Sequence, residues 1–339
     1  MVKIIIDLLE FLRSCAPLLT SLAVLTVLCI LLSKSIKKHA TAYYLVLAIP
    51  FALVALPFTC RMVGIETVSF TGIPVLGELV RDYIHMAAFG HPLLIIIMYM
   101  GALDPKIPGV KKLLSIRKEL SIISGFPVLA HSLIRVTNSI PSSFKFFADH
   151  AGYMANTKVA SEWGAGISSF SFLLGLIMLL IFIPLWVTSF DSVRKRMSNV
   201  KWRKLQKWAY VLYATLFIHA MGIQAGGLLN PRGGGAPRPA TVEVTVAENA
   251  RPAADEHSGH SEQRETVKPD QNRQSAQTAR PATGGHMPAK GLSDIKVSAP
   301  ARGYIHIISL ILIFSSYLYL RLRKAKRDAK RRANAMEAS

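Results

Sequence analysis

Residues 164–187 read GAGISSFSFLLGLIMLLIFIPLWV and contain no Asp, Glu, Lys or Arg. A helix crossing a hydrocarbon core of about 30 Å needs about 20 apolar residues. This stretch meets that length, and it has no polar face to turn toward water. Six more segments of the same kind surround it along the chain: Ala16–Ser33, Tyr43–Cys60, Val80–Leu103, Leu120–Ser139, Trp208–Gly226 and Tyr304–Leu320. Lipid cannot pair an exposed backbone N–H or C=O, and these runs are too long and continuous for barrel strands, so each reads as helix. The expected fold is an all-α integral membrane protein, a bundle of six to seven transmembrane helices.

Composition agrees. Charged residues make up 18% of the 339-residue chain, against about a quarter in soluble domains. A soluble α/β enzyme is therefore excluded. The formal charge of +20 does not point to nucleic acid, because the basic residues sit in short runs beside apolar blocks, as membrane topology signals do. The lipid bilayer is the first partner. Cys15, Cys29 and Cys60 lie in or beside apolar segments without CxxC spacing, so neither a disulfide framework nor a thiolate metal site is expected. The cluster Lys34, Lys37 and Lys38 follows the first apolar block, which makes that block a retained span rather than a cleaved signal.

The basic residues also orient the bundle. They concentrate in Lys34–Lys38, Lys106–Lys118, Arg194–Lys207 and Arg321–Arg332, the loops after spans 1, 3 and 5 and the tail after span 7. The positive-inside rule places the N-terminus outside and the C-terminus in the cytoplasm of a multi-pass protein of the bacterial inner (plasma) membrane. The cluster Arg194–Lys207 reads as a solvated topology signal or as a dock for a cytoplasmic reductase or anionic lipid. Pro231–Pro300 is rich in Pro, Ala, Gly and Gln and nearly free of aromatics, so it reads as a disordered extracytoplasmic linker whose His257, His260 and His286 are solvated. Three regions follow: a six-helix membrane domain over 1–228, the linker over 229–302, and a seventh helix with basic tail over 303–339.

Histidines are the notable polar residues of the spans: His85, His91, His131, His219 and His306. Each taken alone can serve as a hydrogen-bonding contact between helices. Their depths say more. At 1.5 Å per residue, His131 sits roughly 20 Å above Lys118 and His219 roughly 18 Å above Lys207, while His91 descends roughly 14 Å from the other side. Imidazoles on different helices thus reach one level, which suits a haem held edge-on in a bundle. Arg135, one turn beyond His131, either pairs with a haem carboxylate or snorkels to the interface. Arg61 and Arg81 read as interfacial anchors. Pro92 is expected to bend span 3 beside His91.

Two stretches carry a resemblance. Ser115-Ile-Arg-Lys-Glu-Leu-Ser-Ile-Ile-Ser-Gly-Phe-Pro-Val-Leu-Ala-His131 resembles the R-R-x-L-G…L-H span of ferric-reductase-like transmembrane proteins. Trp202-Arg-Lys-Leu-Gln-Lys-Trp-Ala-Tyr, leading to His219, resembles their W-x-x-L-H-R-L-x-Y entry followed by L-H. In style the chain is similar to the haem-binding membrane subunit of the bacterial periplasmic methionine sulfoxide reductase system. The resemblance implies one b-type haem ligated by His131 and His219, with His91 and Arg135 beside it. A departure matters here. The family's first histidine of the second stretch falls on Gln206, and Lys118 stands thirteen residues before His131. A second haem therefore has no axial pair of the usual kind and would need His91 or His85.

No GxGxxG follows an expected strand, and there is no P-loop or CxxCH. The chain reads as an electron conduit without its own donor domain. The expected function is that of a membrane b-type cytochrome, the electron-transfer subunit of an oxidoreductase system. Electrons would come from quinol or a cytoplasmic flavin reductase, with FMN or quinone on the donor side, and go to an extracytoplasmic redox partner. The alternative is a multi-pass transporter or channel using intramembrane histidines for metal or protons, and a third reading makes the histidines structural. The lack of repeat symmetry and of intramembrane acid pairs argues against transport.

Overall fold

A computed structural model describes residues 8, 11–12, 14–65, 87–231 and 298–337. The described residues contain helices and turns and no strand. In chain order these are α1 (Pro17–Leu31), α2 (Ser33–Lys38), α3 (Ala40–Met62), α4 (Gly90–Ala102), α5 (Pro108–Ser115), α6 (Arg117–Asn138), α7 (Ile140–Ala148), α8 (His150–Asn156), α9 (Glu162–Val187), α10 (Asp191–Arg194), α11 (Asn199–Gln206), α12 (Trp208–Leu229) and α13 (Ala299–Glu337). Among the described residues, five segments are long and apolar enough to cross a membrane: Ala40–Met62, Arg117–Asn138, Glu162–Val187, Asn199–Leu229 and Ala299–Arg331. The protein is a multi-pass, all-α membrane protein. The expected first and third spans appear as the shorter apolar helices α1 and α4, and residues 80–86 of the third, with His85 and Arg81, lie outside the described residues. So do residues 232–297 of the linker expected over 229–302, whose last residues, 299–302, instead open α13.

α4 is the centre of the bundle. It is apolar all round, and Pro92 through Met98 are all buried, as expected of a helix with protein on every side. Leu93, Ile96 and Met100 pack with Leu113, Ile116, Leu120 and Ile123 of α5 and α6 and the turn joining them. Leu94 meets Phe182 and Leu185 of α9 and Leu212 and Leu216 of α12. Ile95 and Met98 meet Leu18 of α1, Ala220 of α12, and Leu310 and Ile313 of α13.

The start of α4 differs from the sequence expectation. A bend at Pro92 inside one continuous helix was expected. Instead the chain turns at Ala87–Phe89, with Ala87 at φ 55°, and the helix begins at Gly90. Pro92 falls in the first turn, where a missing N–H breaks no intrahelical bond. His91 is thereby set at the beginning of a helix buried in the middle of the bundle.

α9 and α12 make the most extensive helix pair, and their contact is built from small residues. A Cβ on Gly226 would lie 2.2 Å from Ser168 Oγ, and one on Gly222 would lie 2.0 Å from Ser171 Oγ. Gly222 and Gly226 are the two ends of a GxxxG spacing, which allows close backbone approach in lipid. Asn230, just past α12, accepts from the Ala160 N–H at 2.7 Å and ties this end to the entry of α9. At the other end of α9, Trp186 Nε1 donates to the Ile122 carbonyl of α6 at 2.9 Å. Gly125 makes room for that indole, since a Cβ there would stand 1.8 Å from Nε1.

α13 is tied to α4 by polar contacts. The Tyr99 hydroxyl donates to the Ile313 carbonyl at 2.6 Å. Arg321 and Lys324 donate to the Gly101 carbonyl at 3.3 and 2.9 Å, placing cations at a helix C-terminus. Lys118, at the entry of α6, pairs with Asp191 at 2.9 Å, and that hydrogen bond holds the Asp191 carboxyl below the usual carboxylate range.

Candidate functional site

Three helices bring three imidazoles to one cavity. His91 comes from the first turn of α4, His131 from the second half of α6, and His219 from the middle of α12. The His91 ring centroid lies 5.9 Å from that of His131 and 6.5 Å from that of His219. The cavity has about 660 Å³ of empty space, counting its open mouth. Apart from the imidazoles, Ser132 and Arg135, its walls are apolar.

Packing explains why this space persists. Gly90 sits where a Cβ would come within 3.2 Å of Val128 Cγ2, so α4 and α6 approach closely beside His91. Gly175 of α9 faces His219, where a Cβ would lie 3.0 Å from Cε1. The His219 ring is 8% exposed, and its Nδ1 lies 2.6 Å from the Ser171 carbonyl. A carbonyl can only accept, so this contact calls for a proton on Nδ1. Arg135 lines the same cavity, with its guanidinium 5.6 Å from the centre of the Phe172 ring.

This donor set fits a haem. Neutral imidazole nitrogen is a good iron ligand, the walls are apolar, and a guanidinium is placed to meet a carboxylate. Among the described residues no group of three or more His, Cys, Asp or Glu side chains is placed to hold a bare metal ion. The rings surround a volume rather than a point.

Of the residues singled out in the sequence, His91, His131, His219 and Arg135 share this cavity. His306 lies on α13 and does not line it, and His85 lies outside the described residues. Three contributors escaped the sequence reading: Ser171, Gly175 and Phe172. The signal for the first two was present in the Gly/Ser spacing of Gly164, Ser168, Ser171 and Gly175, which matches Gly222 and Gly226 across the helix pair. Phe172 had no signal, because an aromatic within an apolar span is ordinary.

A family model described as "Ferric reductase like transmembrane component" matches residues 86–217. That segment contains His91, His131 and Arg135, ends two residues before His219, and leaves out α13. The chain is also similar to a protein of Treponema pallidum (strain Nichols) named "Uncharacterized protein", with 26% identity over 203 residues, covering 59% of this chain and 49% of that protein. The chain thus spans about half the length of this curated relative. No solved structure matches.

Proposed function

We propose that the protein is the membrane cytochrome b subunit of an electron-transfer system, with one haem b in the cavity between α4, α6, α9 and α12. His131 and His219 would hold it, with His91 beside them, and Arg135 would pair with a haem carboxylate. The observation that carries this reading is the meeting of three imidazoles and one guanidinium in a single apolar cavity, largely within a segment similar to ferric reductase transmembrane components. When bound, the haem supplies one-electron transfer at an iron whose potential its axial ligands and burial set.

The chain's own residues do the rest. His131 and His219 offer ring nitrogens from two different helices, α6 and α12. The apolar walls, Leu94, Phe182 and Leu216 among them, keep water from the site and lower its dielectric. Arg135 balances negative charge that would otherwise be buried at a cost of several kcal/mol. Gln206 and Lys118, at the opposite ends of the same two helical stretches, offer no second imidazole pair, which favours one haem per chain.

By the positive-inside rule the basic loops face the cytoplasm. Electrons then enter from quinol or a cytoplasmic flavin reductase and leave toward an extracytoplasmic partner. The regions 1–228, 229–302 and 303–339 serve as haem domain, linker and seventh helix with tail. The test is a dithionite-reduced minus oxidised spectrum of the purified protein, with a pyridine haemochrome count. A b-type spectrum near one haem per chain, lost in His131→Ala and His219→Ala, is the expected result. A colourless protein from haem-supplied cells would overturn the reading.

A further inference from the structure

His219 is held from behind as well as facing the cavity. Its Nδ1–H donates to the Ser171 carbonyl of α9 at 2.6 Å. That carbonyl belongs to a continuous helix and already has the Gly175 N–H as its regular i+4 partner, so the imidazole takes its second lone pair. The neighbouring Ser171 hydroxyl does not compete for the ring, because it donates to the Ile167 carbonyl at 2.7 Å.

Two glycines make the contact possible. A Cβ on Gly175 would lie 3.0 Å from His219 Cε1 and 3.3 Å from Nδ1. A Cβ on Gly222, one turn beyond His219, would lie 2.0 Å from Ser171 Oγ and 3.2 Å from its Cβ, so the Ser171 side chain would have to shift. Gly227, on the same helix, has nothing within 4 Å of its Cβ position. Gly175 is the glycine in contact with the ring, and Gly222 the one beside the Ser171 side chain.

We infer that the Ser171 carbonyl, with Gly175 and Gly222, is a positioning device that holds His219 in its Nδ1–H tautomer and sets the plane of the ring. The tautomer follows from the protein alone. Its consequence for haem rests on the function proposed above: a donated Nδ1–H makes Nε2 a stronger electron donor, which favours ferric over ferrous iron. Gly175 and Gly222 act through His219 and touch no reacting atom.

Two measurements test this on the full chain in nanodiscs. The first uses haem-free protein labelled with 15N in its histidine rings, with the His219 signal assigned by its loss in His219→Gln. The expected pattern is a protonated Nδ1 and a bare Nε2; an Nε2–H tautomer overturns the inference. The second compares Gly175→Ala with Gly227→Ala in haem-loaded protein. Gly175→Ala should keep its haem yet shift the ferric/ferrous balance about tenfold toward ferrous, a rise of about 59 mV for one electron, with Gly227→Ala unchanged. A Gly175→Ala protein with unaltered potential and unaltered ring signals overturns the inference. If Gly175→Ala does not fold, the wild-type ring signals decide. A colourless wild type defeats the haem reading and leaves the tautomer to the same ring signals.

Discussion

The two ends of α6 have been built for different purposes. At the Lys118 end the space is filled and the polar groups are matched: Lys118 pairs with Asp191, and the Trp186 indole closes on the Ile122 carbonyl over Gly125. At the His131 end the helix lines a cavity with imidazoles from two other helices and carries Arg135. One end of the helix joins neighbours, and the other holds them apart around a volume. A membrane bundle thus uses one helix both as a structural strut and as a wall of a site, and the two roles should separate on mutation.

The largest expected effect lies at the cavity end. Under the proposed function, His219→Ala should lower haem per chain by at least about tenfold while far-ultraviolet circular dichroism stays helical, whereas Lys118→Ala should leave the haem spectrum as it is. Equal loss in both variants would erase the distinction between the ends. Next comes the packed end. Gly125→Ala drives a methyl into the indole of Trp186, and overpacking of this kind costs about 1–3 kcal/mol. It should lower the thermal unfolding midpoint and leave the shape of the haem spectrum unchanged.

A smaller effect is expected where α13 meets α4. Tyr99→Phe removes the hydroxyl bonded to Ile313 and Ser316, and interhelical hydrogen bonds in lipid are worth about 0.6 kcal/mol, at most about 1.7. Denaturation in mixed micelles should detect a shift of that order. The smallest effect is pH-dependent. Because Lys118 holds the Asp191 carboxyl below its ordinary value, the pair stabilises the fold above the unfolded carboxylate pKa of about 3.9. That contribution fades as pH falls through the folded value. Asp191→Asn should abolish this acid-side loss, and high salt should mask it, since the pair is exposed.

Much of this organisation was legible in the chain itself. α3, α6, α9, α12 and α13 coincide with long apolar runs, because a segment that must satisfy its own backbone in lipid has to be helix. The similar depths of His91, His131 and His219 followed from counting helical rise from the ends of their spans. The start of α4 was not legible. Met86-Ala-Ala-Phe-Gly-His-Pro reads as one more stretch of apolar span, and Pro92 drew attention as a bend, whereas the structure turns the chain earlier and uses Pro92 to begin a helix. The pairing of α9 with α12 was foreshadowed by Gly222-x-x-x-Gly226, but the glycines do not say which helix they admit.

The sequence by itself determined which segments enter the membrane and which ionisable side chains they carry there, because both depend on local composition and on the rise of a helix. Only the tertiary structure decided which imidazoles face one cavity and what stands behind them. The Ser171 carbonyl lies 48 residues from His219 in the chain. Every residue has such a carbonyl, so its selection depends on a helix–helix approach that small residues permit and that only the assembled bundle defines.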